Sequence, residues 1–171
     1  MRANRTSPFD VVLCLRLASE AGTLVHLADE LGVVPSQIHA ALQRLTSAGL
    51  LRPRSRVANN RALLEFAVHG IRYAFPVTKG PLTAGIPTAY SAPPLSAEVD
   101  ALDVVVWPAP LHPAAVQGFS LVPLYPGAPL LLERSPSTYQ LVALADALRL
   151  GDARTRIIAR ERIEQLLGAR A

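Results

Sequence analysis

LVHLADELGVVPSQIHAALQRLTSAGLL, residues 24–51, decides the fold of this chain. Leu24, Leu27, Ala28 and Leu31 recur three or four apart, so they share one face of a helix. Gly32 follows at once, where a helix that must turn sharply needs a residue free to take positive φ. Pro35 pre-sets the first turn of a second helix, because its missing N–H would be unpaired there anyway. In that helix Ile38, Ala41, Leu42 and Leu45 form the inward stripe. Ser36, Gln37, His39, Ala40, Gln43 and Arg44 lie elsewhere on its surface, and no acid stands between Glu30 and Glu65. Such a helix fits a DNA major groove. Gln can bond adenine through two atoms, Arg can bond guanine or phosphate, and Ala40 leaves room for close approach. The plainer alternative is a tri-helical core that contacts no nucleic acid.

Within this stretch LADELGVVPSQIHAALQRLTSAGLL resembles the helix-turn-helix of winged-helix bacterial regulators such as the MarR-like proteins. The likeness is carried by the "LA-x-x-LG" first helix and the "L-x-x-AGLL" exit, and it covers roughly the first half of the chain. It implies a mainly α fold with a small β component, opened by a winged helix-turn-helix DNA-binding domain. One departure is Val34 at the N-cap, where Ser or Thr usually accepts an orphan N–H; Ser36 is the substitute two positions on.

At 171 residues, half of them apolar, the chain is one domain or a domain with an appendage. Its net charge of +4 is unevenly placed. Residues 1–75 hold nine Arg and five acids, whereas residues 76–171 hold eight basic and eight acidic groups. Basicity therefore follows the motif, as a polyanionic partner would require. Cys14 is the only cysteine and sits among Val11, Val12, Leu13 and Leu15, which predicts a buried structural thiol. The apolar runs near Leu121–Leu132 are broken by Pro123, Pro126 and Pro129, so no membrane span is expected and the location expected is cytosolic.

Ser7-Pro8-Phe9-Asp10 reads as a helix start, with Ser7 as N-cap, and Arg2 and Arg5 precede it as a basic arm. After the second motif helix, Arg52, Arg54, Arg56 and Arg61 fall within ten residues that contain no acid. Beside a helix-turn-helix this predicts phosphate contact and salt-dependent binding. Residues 62–70 read as a helix that Asn59 or Asn60 caps, followed by a hairpin of Ile71–Val77 and Leu82–Tyr90 with Lys79 at its tip. If those residues are not helical, the wing tip is Arg54–Arg61 instead.

Residues 81–136 hold eleven of the fifteen prolines yet are rich in Val, Leu, Phe, Tyr and Trp. They read as a compact apolar segment with strands at Asp103–Trp107 and Gly118–Leu124, wrapped over the domain or over a partner. Ser135-Pro136 starts a helix to Leu150, and Asp152 caps another that ends near Gly168. This helical hairpin either covers its own core or forms a dimer interface.

His26, His39, His69 and His112 are scattered, and no zinc spacing, phosphate-cradling loop or nucleophile elbow is present. No enzyme, cofactor or metal is expected. The expected organisation is a DNA-binding domain at 1–90, a Pro-rich segment at 91–135 and a C-terminal helical hairpin at 136–171. The expected function is a homodimeric repressor of its own promoter. Ser36, Gln37, His39, Ala40, Gln43 and Arg44 would face the bases, with Arg52, Arg54, Arg56, Arg61 and Lys79 at the phosphates. Two rivals stand beside it: an antitoxin-like protein that inhibits a partner protein through its rear half, and a ligand sensor with a pocket lined by Trp107, Phe119 and Tyr125.

Overall fold

The computed structural model describes residues 5–168, so Arg2 of the basic arm and residues 169–171 lie outside the described residues. The chain is mainly helical with one small sheet. Helix α1 (Pro8–Ser19) begins with a capping box: Asp10 N–H donates to Ser7 Oγ, and Ser7 N–H donates back to Asp10 Oδ2 at 2.7 Å. Every residue from Phe9 to Ser19 is buried, which explains why α1 is apolar all round. Cys14 is among them; its thiol donates to Leu50 O, and burial pushes it up to about 12.

Helix α2 (Leu24–Leu31) ends at Gly32, whose φ of 66° is the left-handed turn that glycine takes without steric cost. Helix α3 (Pro35–Ser47) buries Ile38, Ala41, Leu42 and Leu45 against α1 and α2. It starts without a side-chain cap, so Ser36 does not replace the missing cap at Val34. Two ion pairs tie the three helices together. Arg16 Nε donates to Glu30 at 2.7 Å, both nearly enclosed, and joins α1 to α2. Arg44 grips buried Asp10 through two hydrogen bonds of 2.8 and 2.7 Å and joins α3 to α1.

After α3 the chain makes a minimal hairpin. Leu51 and Ala58 form a single bridge pair, closed by Arg52 N–H to Val57 O and Asn59 N–H to Leu50 O, both 2.9 Å. Asn59 then caps α4 (Asn60–His69), as expected. The hairpin expected at Ile71–Tyr90 is not formed. Ile71–Ala74 is a helical turn, α5, because Phe75 N–H continues the helical ladder to Ile71 O; Pro76 then ends it.

Leu82–Pro87 is a strand, β1, but its partners come later: β2 (Val105–Pro108) and β3 (Val116–Ser120). β1 runs antiparallel to both, and β2 pairs parallel with β3, so the three strands close on one another. Closure demands Gly85, opposite both Pro108 and Val116, where a Cβ would lie 2.0 Å from Trp107 O.

A turn, α6 (Leu131–Arg134), leads to α7 (Pro136–Leu150) and α8 (Ala153–Gly168), close to the bounds expected. The Ser135 side chain does not cap α7; its hydroxyl donates to Thr138 Oγ1 at 2.8 Å. Asp152 does cap α8, accepting Thr155 N–H at 2.7 Å, which holds its carboxyl below the usual range. Helix α7 is buried from Thr138 to Leu148, except for a partly covered Gln140, by α1, α5 and α8. Helix α8 presents Thr155, Ala159, Ile163 and Leu167 inward, while Ile157 is exposed. The hairpin thus covers its own core. One buried apolar cluster runs from Phe9 to Leu167. No single helix among the described residues is long and apolar enough to cross a membrane.

At the centre of α7, Asp146 is fully buried and accepts three hydrogen bonds: Thr88 Oγ1 at 2.9 Å, Trp107 Nε1 at 2.7 Å and Arg149 Nη1 at 2.6 Å. Burial pushes this carboxyl up, and the guanidinium, then the Trp107 and Thr88 donors, pull it back. Replacing Asp146 by Ala strands the Arg149 charge and the indole N–H, and is expected to cost roughly 3 to 5 kcal/mol. Urea unfolding should read this as a lower midpoint at unchanged slope. A loss below about 1 kcal/mol would show that the cluster is not a stabilising one.

Candidate nucleic-acid interface

The outward side of α3 carries Ser36, Gln37, His39, Gln43, Thr46 and Ser47, all exposed or half-exposed, with Ala40 half-buried between them. The spacing of four from His39 to Gln43 places one side chain above the other, and their Nε2 atoms meet at 3.2 Å. Thr46 and Ser47 turn their hydroxyls back to Leu42 O and Gln43 O, at 2.8 and 3.0 Å. That leaves the His39–Gln43 pair as the longest polar groups at mid-helix.

This pair lines an open groove of about 670 Å³ together with Leu24 of α2, Leu42, Thr46 and Ser47 of α3, and Arg56. Arg56 belongs to the hairpin turn that follows α3. The turn is held by Ser55 N–H to Arg52 O at 3.2 Å and by Val57 N–H to Ser55 Oγ at 3.2 Å. Arg54 sits at its tip with φ of 55°, a conformation that costs a non-glycine residue of order 1 kcal/mol or more. Arg52, Arg54 and Arg56 are all exposed, and Arg61 is exposed at the start of α4. None of these four arginines has an ion-pair partner among the described residues, in contrast to Arg16, Arg44, Arg149, Arg160 and Arg162. Arg56 gives the groove beside the polar face of α3 a positive charge.

The residues singled out from sequence are only partly brought together. His39, Gln43 and Arg56 share the groove. Arg52 and Arg56 also border a hollow against Glu20 and Asn60. Gln37 lines a separate hollow of about 340 Å³ with Phe9, Val33 and Tyr125. Arg44 is turned away to Asp10, so its side chain belongs to the scaffold beneath the interface. Lys79 is remote from the groove: it pairs with Asp103 at 2.5 Å, lies over the Tyr90 ring and lines another hollow beside Leu150 and Gly151. The three aromatics read as one pocket do not gather. Trp107 is fully buried edge-on to Tyr139, Tyr125 packs edge-on to Phe9, and Phe119 is half-buried on β3. From sequence Asp10 is read only as part of the helix start, and its hold on Arg44, 34 positions away, is missed; the signal was an acid in an otherwise apolar helix. Among the described residues no group of three or more His, Cys, Asp and Glu side chains gathers as a metal site requires.

No family model, curated protein or solved structure is significantly similar to this chain. The interface therefore stands on its own geometry.

Replacing Arg44 by Ala leaves the buried Asp10 carboxylate without its guanidinium, while Arg44 itself is a quarter exposed. The expected destabilisation is roughly 2 to 3 kcal/mol, below that of a fully buried pair. In a double-mutant cycle, Asp10→Ala with Arg44→Ala should cost less than the sum of the two single substitutions. Strict additivity in chemical denaturation would show that the pair does not couple α3 to α1.

Proposed function

We propose that this chain is a sequence-specific DNA-binding transcriptional regulator of the winged helix-turn-helix type, acting as a repressor of its own promoter. In this reading α3 is the recognition helix, with Ser36, Gln37, His39, Ala40 and Gln43 toward the major groove. The turn at Arg52–Arg56 is a shortened wing that holds phosphates together with Arg61. The observation that carries the reading is the groove that His39 and Gln43 share with Arg56, an arginine with no ion-pair partner among the described residues. A homodimer would place two such helices on half-sites about one helical turn apart, and the role is non-enzymatic and cytoplasmic.

A second reading, an antitoxin-like protein that inhibits a partner protein, is favoured by one feature of the sheet. Leu82 is exposed and pairs across β1 and β3 with half-buried Phe119, and Val104, just before β2, is exposed as well. Exposed apolar side chains on a sheet with no open edge strand suit a protein partner. The two roles are compatible in one molecule.

Fluorescence anisotropy of the purified chain on its own upstream DNA and on scrambled DNA, across a salt series, separates the readings. Repression predicts at least about tenfold tighter binding to the upstream sequence, with a steep salt slope. Absence of DNA binding at moderate salt refutes it and favours the protein-partner role. Replacing Arg52, Arg54 and Arg56 by Ala should weaken binding to every sequence and lower the salt slope by roughly one for each phosphate that is no longer neutralised. An unaltered slope would remove the turn from the phosphate-binding surface.

A further inference from the structure

We infer that Arg134, in the rear half of the chain, is a positioning residue for the recognition helix: it caps the end of α2 and so fixes the turn from which α3 departs. This role rests on the DNA-reading function of α3 proposed above, and it adds to that site a residue from outside the helix-turn-helix.

The end of α2 lacks what a helix end needs. The last turn of a helix carries a partial negative charge, and its final carbonyls have no N–H of the same helix to accept. Basic side chains are favoured there, yet the last turn of α2 holds none; it holds Asp29 and Glu30 instead. Glu30 is neutralised by Arg16 of α1.

The missing cation comes from 105 positions away. Arg134, the last residue of α6, donates from Nη1 to Asp29 O at 2.7 Å. The same carbonyl accepts the Gly32 N–H at 3.1 Å, and Val33 N–H donates to Ala28 O at 2.9 Å. Arg134 therefore acts on one of the two acceptors that hold the left-handed turn at Gly32. The rear half is fitted closely to this turn. A Cβ at Gly32 would meet Arg134 Nη1 at 3.6 Å and Leu130 Cδ1 at 3.7 Å. A Cβ at Gly127 would lie 3.1 Å from Leu31 O, so the chain before α6 runs along the end of α2.

The origin of the cation matters as much as its charge. Only Ser135 separates α6 from α7, the helix that Asp146 ties to the sheet. A basic residue within α2 would satisfy the same carbonyl but could not hold the turn against α7. Only Val33 and Val34 separate Gly32 from Pro35, the first residue of α3, so a change of angle at Gly32 is carried into the direction of that helix. Arg44 holds the later turns of α3 to Asp10, while its start has no side-chain cap of its own.

Two measurements on the full chain test this. Native-state hydrogen exchange, read residue by residue by NMR, needs no DNA. In Arg134→Ala the Gly32 and Val33 amides should exchange about three- to fivefold faster, the effect expected of a cation at a helix end, while α7 amides such as that of Leu144 keep their wild-type rates. Arg134→Lys, which returns the charge, should recover most of the protection. Unchanged exchange at Gly32 and Val33 overturns the inference, and so does faster exchange throughout the chain, which would mark Arg134 as a general stabiliser. The second measurement is the preference for upstream over scrambled DNA. Arg134→Ala should lower that ratio about threefold at an unchanged salt slope. Arg162→Ala, which breaks the ion pair with Glu98 on α8, should leave the ratio as in the wild type. A lower salt slope in Arg134→Ala would make Arg134 a phosphate contact and overturns the positioning role, as does a ratio that Arg134→Ala leaves unmoved. A wild-type chain with no preference for its upstream DNA overturns the DNA-reading function, and Arg134 loses this role with it; hydrogen exchange still tells that failure apart from a turn that Arg134 does not hold.

Discussion

A carboxylate with no exposed surface, Asp146, holds the rear of this protein to its centre. Its three donors come from the turn after β1, from β2 and from the next turn of α7 itself. Arg149 then passes the connection on, giving Nε to Phe75 O and Nη1 to Val122 O, at 2.9 and 3.4 Å. Segments separated by more than 70 positions thus converge on one helical turn. A charge in this place is costly to bury, and only a complete set of partners makes it tolerable. That requirement fixes how the small sheet sits on α7, and α7 in turn forms the floor on which α1 lies.

The front of the molecule follows the same rule in miniature. Helix α1 is too apolar to choose an orientation for its neighbours through burial alone, since they meet apolar side chains whichever face they contact. Two charges break this degeneracy. Arg16 reaches Glu30 and sets α2; Asp10 is reached by Arg44 and sets α3. The exposed side of α3 is therefore aimed by a pair that lies on its other side. Apolar packing gives the three helices their stability, and the ion pairs choose among the ways in which they could pack.

The helical part of this architecture was legible because its signals are local. Ser7-Pro8, Gly32, Pro35, Asn59, Pro136 and Asp152 mark helix ends within a few residues of where they act, and the apolar spacing between them has one reading. The strands were not legible in the same way. Leu82–Pro87 could be recognised as extended, but its partners lie beyond two short turns and many prolines, and nothing in the run itself names them. The hairpin expectation at Ile71–Tyr90 failed for that reason: it supplied the nearest candidate where the fold uses distant ones. At the site, the polar face of α3 and the arginine-rich turn were readable from spacing and charge. The engagement of Arg44 and Lys79 was not, because their partners Asp10 and Asp103 are 34 and 24 positions away. An arginine or lysine in sequence carries no mark of whether an acid will be folded onto it.

The close approach allowed by Gly85 has a consequence for how this molecule meets others. Because β1, β2 and β3 each pair with the remaining two, none of them is an edge strand. The run Val104-Val105-Val106-Trp107 is of the composition that recruits strands from other chains when its backbone is left open. Here that backbone is spent internally. A protein that docks on this run meets side chains rather than an open strand, since Val104 O, Val105 N–H and O, and Val106 O are bonded within the fold.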